Sequence, residues 1–493
     1  MEKFSFSGQP SLRMLSDDQI KLIHEKALNV LETSGIKFES DEALKILEDN
    51  GAVVDFDKKI AKFSPQMVGD AVKKAPASLQ LYNREGEPSA LLGGNSTCFD
   101  PGSSLIRFVE SDGKTVRSSQ SKDLVQISRV NDALENVQLQ STSVVCYDVP
   151  KSIGDSYRLY ICLKNSPKPV ITGAFSVPGV SHMREMLAAV RGGYDQLREK
   201  PLAIFDICPS PPLKWTHISS QNIIDCARFG LPMETVSMPM PGAATPVTLA
   251  GSVVVHTAET LSGVVLAQCV NPGTPVVYGG APVHFDMHYG TTPLSAVEAT
   301  MVAAAYSQMG KYFGMPTHTY AALSDSKVID MQAGFESGIS GVIAQLAGIN
   351  MISGVGSLDF VSSFSLEKLV IDNEICGMAL RLQRGIDCSP ESLAVDVINE
   401  LGPGGVYLES EHTFKHFKTE PFMPSTVIDR RERGNWKAEG EKNVFQRARE
   451  RVKEIQETHK PAPLDSDREA KLDQAVCTIM KELGVGNLPQ GPA

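Results

Sequence analysis

Residues 202–238 read LAIFDICPSPPLKWTHISSQNIIDCARFGLPMETVSM. A short apolar run (202–208) gives way to a Pro-rich loop, then to a stretch that reads as helix, then to a second apolar run (233–238). Strand, loop, helix, strand is one β/α unit. The same beat can be counted eight times, with strand candidates at 97–100, 137–145, 169–175, 202–208, 233–238, 275–280, 315–320 and 349–355. Eight such units predict an α/β fold of the closed (β/α)8 TIM-barrel type, in which chemistry sits at the carboxyl ends of the strands.

Working outward, the beat occupies 96–386. It leaves 1–95 as an N-terminal α+β extension and 387–493 as a C-terminal helical extension. In the first extension, 15–34, 41–50 and 63–74 have helical spacing with Ser or Asp caps. Runs 79–83 and 90–92, then 106–108 and 115–117, read as hairpin strands. Within the barrel, 247–268 is apolar on nearly all sides and is expected to be buried. After residue 386, interleaved Arg, Lys and Glu over 427–458 read as a solvated helix, and 468–483 as a last helix. Helices of this kind dock on their own barrel or on a second subunit, and a homo-oligomer is expected.

A net charge of −11 argues against a nucleic-acid partner, because phosphate binding needs clustered Lys and Arg. No uninterrupted apolar run of about 18 residues predicts a membrane span, and the first twenty residues carry no signal core. The expected location is cytoplasmic. Nine scattered cysteines without a CxxC fit buried, reduced thiols. GxGxxG, P-loop and GxSxG motifs are absent, so nucleotide and serine-hydrolase chemistry has no support.

The strand ends supply the candidate site. Asp206 and Glu234 are the candidate catalytic carboxylates; Phe99, Phe175, Tyr278, His318, Tyr320 and Phe360 are candidate binding residues. The GVG at 354–356 adds Gly354 and Gly356, whose backbone N–H groups suit an anion. Cations are scarce there: Lys214 and Lys327 lie on loops, and no strand end carries an arginine. Aromatic faces with nearby carboxylates attract an ammonium group, each ring by about 0.5–2 kcal/mol. Each ring can equally be core, and Glu234 can equally be a buried, protonated acid.

Several longer segments resemble the trimethylamine methyltransferase superfamily: LSDDQIKLIHEKALNVLETSGIKF (15–38), FDICPSPPLKW (205–215), SDSKVIDMQAGFES (324–337), SLEKLVIDNEI (365–375), and GPGGVYLESEHTFKHFKTEPFMP (402–424) leading to DRRERGNWKAEG (429–440). The resemblance implies a barrel that moves a methyl group from a methylated amine to the cobalt of a separate corrinoid protein. It implies no resident metal or nucleotide. Archetypal members carry pyrrolysine. This sequence contains ordinary residues only, and so resembles the non-pyrrolysine branch, whose members are similar to glycine betaine methyltransferases.

That branch fits the chemistry. A quaternary ammonium already bears the charge that makes its methyl electrophilic, and a neutral tertiary amine departs without needing a proton. The expected substrate is glycine betaine. Proline betaine, carnitine, γ-butyrobetaine and choline are rivals, and the corrinoid protein is expected to dock at the barrel mouth. His318, Tyr320 or the 354–356 backbone are candidates for holding a substrate carboxylate. Two other readings remain open: a betaine-binding barrel without turnover, and a metal-dependent hydrolase or lyase using Asp206, His284, Asp286 and His288.

Overall fold

In the computed structural model, which describes residues 10–489, each of the eight predicted runs contains a strand. They are β1 (Cys98–Asp100), β2 (Gln140–Ser141), β3 (Val170–Thr172), β4 (Ala203–Ile207), β5 (Met233–Ser237), β6 (Val276–Gly280), β7 (His318–Tyr320) and β8 (Met351–Ser353). Strands β2 to β6 form one parallel sheet in sequence order, and β7, β8 and β1 form another. A parallel bridge pairs Tyr278 with Thr317, and Leu139 N donates to Phe99 O at 3.1 Å. The two sheets therefore meet along both edges, and the strands run around the ring in the order of the chain.

A helix follows each strand: α1 (Ser121–Asp132), α2 (Gly154–Asn165), α3 (Gly179–Arg191), α4 (His217–Phe229), α5 (Leu249–Val270), α6 (Val297–Tyr312), α7 (Met331–Leu346) and α8 (Leu366–Gln383). Local chemistry sets their ends. In α4, the Thr216 side chain accepts from Ser219 N, and Gly230 stops the helix in the left-handed conformation at φ 69°.

Helix α5 is long and apolar enough to cross a membrane by length and composition, yet most of it is buried. The N-terminal extension explains this. Helices Asp17–Thr33 and Pro65–Lys74 pack on the outer face of α5, so it has no solvent stripe to make polar. The sequence reading missed three short strands in this extension, Ile36–Phe38, Val53–Asp55 and Ile60–Lys62. Each is only three residues long, too short for alternation to register. Ile36–Phe38 pairs with Lys214–Trp215 from the loop after β4, so that loop is stitched to the extension.

The hairpin Ser78–Tyr82 with Pro88–Gly93 closes the bottom of the barrel. Its Leu79, Leu81 and Leu92 form one apolar cluster with Cys98, Leu139, Ile171, Ile204, Val277 and Met351. Of the C-terminal helices, Val444–Thr458 lies on α8 and α1, and Ser466–Glu482 lies on α3 and α2. Both dock on their own barrel.

Candidate active site

The apolar bottom layer fixes which side chains face the lumen. Strand side chains alternate in and out, so two residues above Cys98, Ile204, Val277 and Met351 come Asp100, Asp206, Gly279 and Ser353. Glu234, aligned with Asp206 and with Val277, shares the interior. On β7, His318 and Tyr320 face inward. An apolar floor thus carries a polar layer directly above it.

The same alternation corrects two expectations. Tyr278 and Phe99 sit on the outward parity. Tyr278 is fully buried in the helix layer, donates from its hydroxyl to Thr257 Oγ1 at 3.0 Å, and packs against His256, Tyr306 and Phe313. Phe99 is buried in the main core. Neither ring reaches the barrel mouth. The 354–356 segment is also turned away from that role. Gly354 N and Val355 N donate to Asp100 O, and Gly356 N donates to Asp372 Oδ2. All three N–H groups are spent, which leaves none for an anion. Lys368 in turn neutralises Asp372 at 2.6 Å, so this glycine turn is a buried structural joint.

Four predicted residues do come together. Phe175, Asp206, Tyr320 and Phe360 line a cavity of about 500 Å3 at the carboxyl ends of the strands. Its other walls are largely apolar, with Ile207, Ile218, Val236, Met238, Leu294 and Val361, and its polar atoms are few. Such a lining suits a small ligand with one or two polar handles. Both rings already face cations of the protein: Arg158 lies 5.0 Å from the Phe175 ring centre, and Lys327 Nζ lies 3.8 Å from that of Phe360. Asp359, Phe360 and Val361 all have φ between 54° and 58°. Three successive non-glycine residues in the left-handed region store backbone strain at the cavity rim.

Asp206 is the one acidic residue in the lining. Its Oδ2 accepts from Ser103 Oγ at 3.1 Å, and its buried Oδ1 has no donor other than the Glu234 carboxyl beside it. Ser103 N in turn donates to the Tyr320 hydroxyl oxygen at 3.2 Å. Burial raises the Asp206 pKa, opposed by hydrogen bonds from Glu234 and Ser103 and by the charge of Arg158.

Beneath Asp206 lie Glu234 and His318, both fully buried. His318 Nδ1 stands 3.0 Å from Glu234 Oε2, outside hydrogen-bond alignment. Its Nε2 lies 2.9 Å from Ser353 Oγ, which donates to Asp100 Oδ2 at 2.5 Å. Burial, then the neighbouring Asp206 charge, push the Glu234 carboxyl well up, so it is protonated and neutral. Burial pushes His318 down to about 3 and Asp100 up to about 7. At neutral pH Glu234 and His318 are therefore uncharged, while Asp100 is near its midpoint. Gly279 makes room for this layer: a Cβ there would fall 3.0 Å from His318 Nδ1 and 3.3 Å from Glu234 Oε2.

Two neighbours of this site escaped the sequence reading. Ser103 lies on the loop after β1, where nothing distinguishes one serine from another. Arg158 lies on α2, away from any strand end, and a search of strand ends passes it by. Its signal was a charge on the buried face of a helix, in register with Asp155 and Cys162.

The loop residues His284, Asp286 and His288 are not drawn into the barrel mouth as a set. Asp286 Oδ1 accepts from His288 N and Tyr289 N, which closes a tight turn. Among the described residues no group of three or more His, Cys, Asp or Glu side chains is arranged to hold a metal ion.

Comparison with known proteins adds to this geometry. The profile of the family described as Trimethylamine methyltransferase (MTTB) matches residues 3–484. The chain is 35% identical over 485 residues to the trimethylamine methyltransferase MttB of Desulfitobacterium hafniense DCB-2, covering 98% of this chain and 96% of that one. It is 32% identical over 477 residues to a glycine betaine methyltransferase of Desulfitobacterium hafniense Y51, covering 96% and 98%. The Methanosarcina barkeri monomethylamine methyltransferase MtmB superposes with a TM-score of 0.53 at 13% identity, covering 98% of this chain and 90% of that one, and so shares the fold.

Proposed function

The chain belongs to the trimethylamine methyltransferase family, and from that membership we propose that it moves a methyl group from a quaternary amine to the Co(I) of a separate corrinoid protein. Glycine betaine is the favoured donor, and dimethylglycine is then the amine released. The observation that carries this reading is the Asp206 carboxylate, the one acidic group on the wall of an apolar cavity, with no cation within ion-pairing distance among the described residues. A buried charge without a partner costs stability unless a ligand satisfies it. A permanent ammonium ion satisfies it without donating a proton.

The chain's own residues hold and orient the donor. Asp206 attracts the ammonium, and protonated Glu234 keeps the pair at a single negative charge. Phe175 and Phe360 supply faces for the N-methyl groups. The apolar walls exclude water and orient one methyl toward the open mouth, and positioning of this kind lowers a barrier by several kcal/mol. The corrinoid, a substrate carried by its own protein, supplies the nucleophile. The C–N bond breaks with its electron pair kept on nitrogen, so the tertiary amine leaves neutral. His318 is neutral and buried, which suits a site that moves no proton.

Exposed apolar side chains on the loops after the strands, including Phe175, Met287 and Tyr289, favour that face as the docking surface for the corrinoid protein.

The test mixes the protein with glycine betaine and a reduced corrinoid protein, following the cobalt absorbance and the amine product. Dimethylglycine equal to the methyl transferred is expected. Binding of quaternary amines without transfer would instead favour a binding barrel. Transfer from trimethylamine but from no quaternary amine would overturn the donor assignment.

A further inference from the structure

Arg158 is a fully buried cation that makes no ion pair. Its Nη1 donates to Ser104 Oγ at 3.1 Å and to Thr142 O at 3.2 Å, while its Nη2 is buried and has no partner. Among the described residues no carboxylate lies within ion-pairing distance of it; nearby Asp155 is engaged by Phe175 N, Ser176 Oγ and Ser156 N.

Of the other buried cations, Arg191 leaves its Nε without a partner but gives both terminal nitrogens to carbonyl oxygens, and two more are fully satisfied. Lys368 pairs with Asp372, and Lys168 donates to three carbonyl oxygens. A desolvated guanidinium with an idle N–H group is costly in a folded protein, and it is matched to a carboxylate in shape and charge.

Its position ties it to the cavity. Two residues that touch it, Ser104 through Nη1 and Phe175 through its ring, both line the cavity. The adjacent residue, Ser103, donates to Asp206. Consecutive residues thus carry the acid of the site on one side and the base on the other. Phe175, 59% exposed, is the ring that stands over the guanidinium.

We propose that Arg158 reads the carboxylate of a zwitterionic substrate, with its ammonium on Asp206, and so selects short betaines over choline and other cations without a carboxylate. This rests on the quaternary-amine reading above. Acid and base anchored one residue apart in the chain favour a betaine with a short link between its charges over a long one.

The test compares glycine betaine with choline and tetramethylammonium by calorimetry, on the wild type, Arg158→Gln and Arg158→Lys. The wild type is expected to prefer glycine betaine. Arg158→Gln should weaken glycine betaine by about 10- to 100-fold, the loss of a charge-assisted hydrogen bond, while leaving tetramethylammonium unchanged. Arg158→Lys should recover part of the preference.

Because Arg158 is buried, the intact wild type with isotope-labelled arginine gives a second readout. A buried guanidinium resonance should shift with glycine betaine and not with tetramethylammonium. Equal weakening of all ligands in Arg158→Gln, or no shift in the wild type, would overturn the assignment and leave the quaternary-amine reading standing. A wild type that binds no quaternary amine would overturn both.

Discussion

Asp206 and Glu234 are register partners on adjacent parallel strands, and both side chains enter the barrel interior. Two carboxyl groups this close do not both ionise at neutral pH, because each charge raises the cost of the other. Burial is deeper for Glu234, which takes the proton, while Asp206 meets the cavity.

That division gives a paired mutational test. Asp206→Asn should weaken tetramethylammonium binding by about tenfold to a hundredfold, since a unit-charge pair near 4 Å is worth at most about 4 kcal/mol at an effective dielectric of about 20. Glu234→Gln copies the neutral acid and should leave affinity within about twofold. Titration calorimetry on both variants checks this, and an equal loss in the two would show that Glu234 carries the charge.

The raised acid beneath the cavity predicts a pH dependence of stability. Folding raises Asp100 from 3.8 to about 7. The folded chain then keeps a proton that the unfolded chain has released, so its contribution is present below about pH 4 and is lost as the pH rises to about 7. His318, lowered from 6.5 to about 3, acts with the opposite sign over much of the same range. Asp100→Asn cannot lose that proton. Urea midpoints should show this variant gaining on the wild type as the pH is raised from 4 to 7. A difference independent of pH would show that Asp100 keeps an ordinary pKa.

Tyr278 separates structure from function among the aromatic residues. Tyr278→Phe removes the hydroxyl that donates to Thr257 and should cost about 1 kcal/mol of stability. Methyl transfer should be unchanged, because the ring lies in the helix layer. A raised KM with an unchanged unfolding midpoint would place Tyr278 in contact with substrate.

Lys327 Nζ stands 3.8 Å from the ring centre of Phe360, a ring that lines the cavity. Lys327→Met removes a competing cation from the rim and frees the ring. Its pairing with Asp359, long at 3.8 Å and exposed on the lysine side, contributes little. Tetramethylammonium should bind a few-fold tighter, in line with about 0.5–1 kcal/mol for a partly exposed ring. Weaker binding would mean that Lys327 holds Phe360 in its binding position.

The eightfold alternation of apolar runs and helical stretches was legible in the sequence, because strand and helix periodicities are local. It placed every barrel strand and pointed to the strand ends, and the long segments quoted above carried the family. Locality also sets its limit. A residue at a strand end faces the lumen or the helices according to a parity that two neighbours alone do not reveal. Tyr278 and Phe99 were misplaced on that account, while Asp206, Tyr320 and their partners were not. The free N–H groups expected at Gly354 and Gly356 were lost to Asp100 and to Asp372, one of them on another strand and the other on a helix. Arg158 stayed hidden because its relation to Ser104 and Phe175 spans 54 residues in one direction and crosses the α2–β3 connection in the other. By itself, then, the sequence determined the barrel, the family and the end of the barrel that carries chemistry. Only tertiary structure decided which acid meets the cavity, which rings line it and where a buried cation waits, because burial, parity and electrostatic coupling arise when distant segments pack.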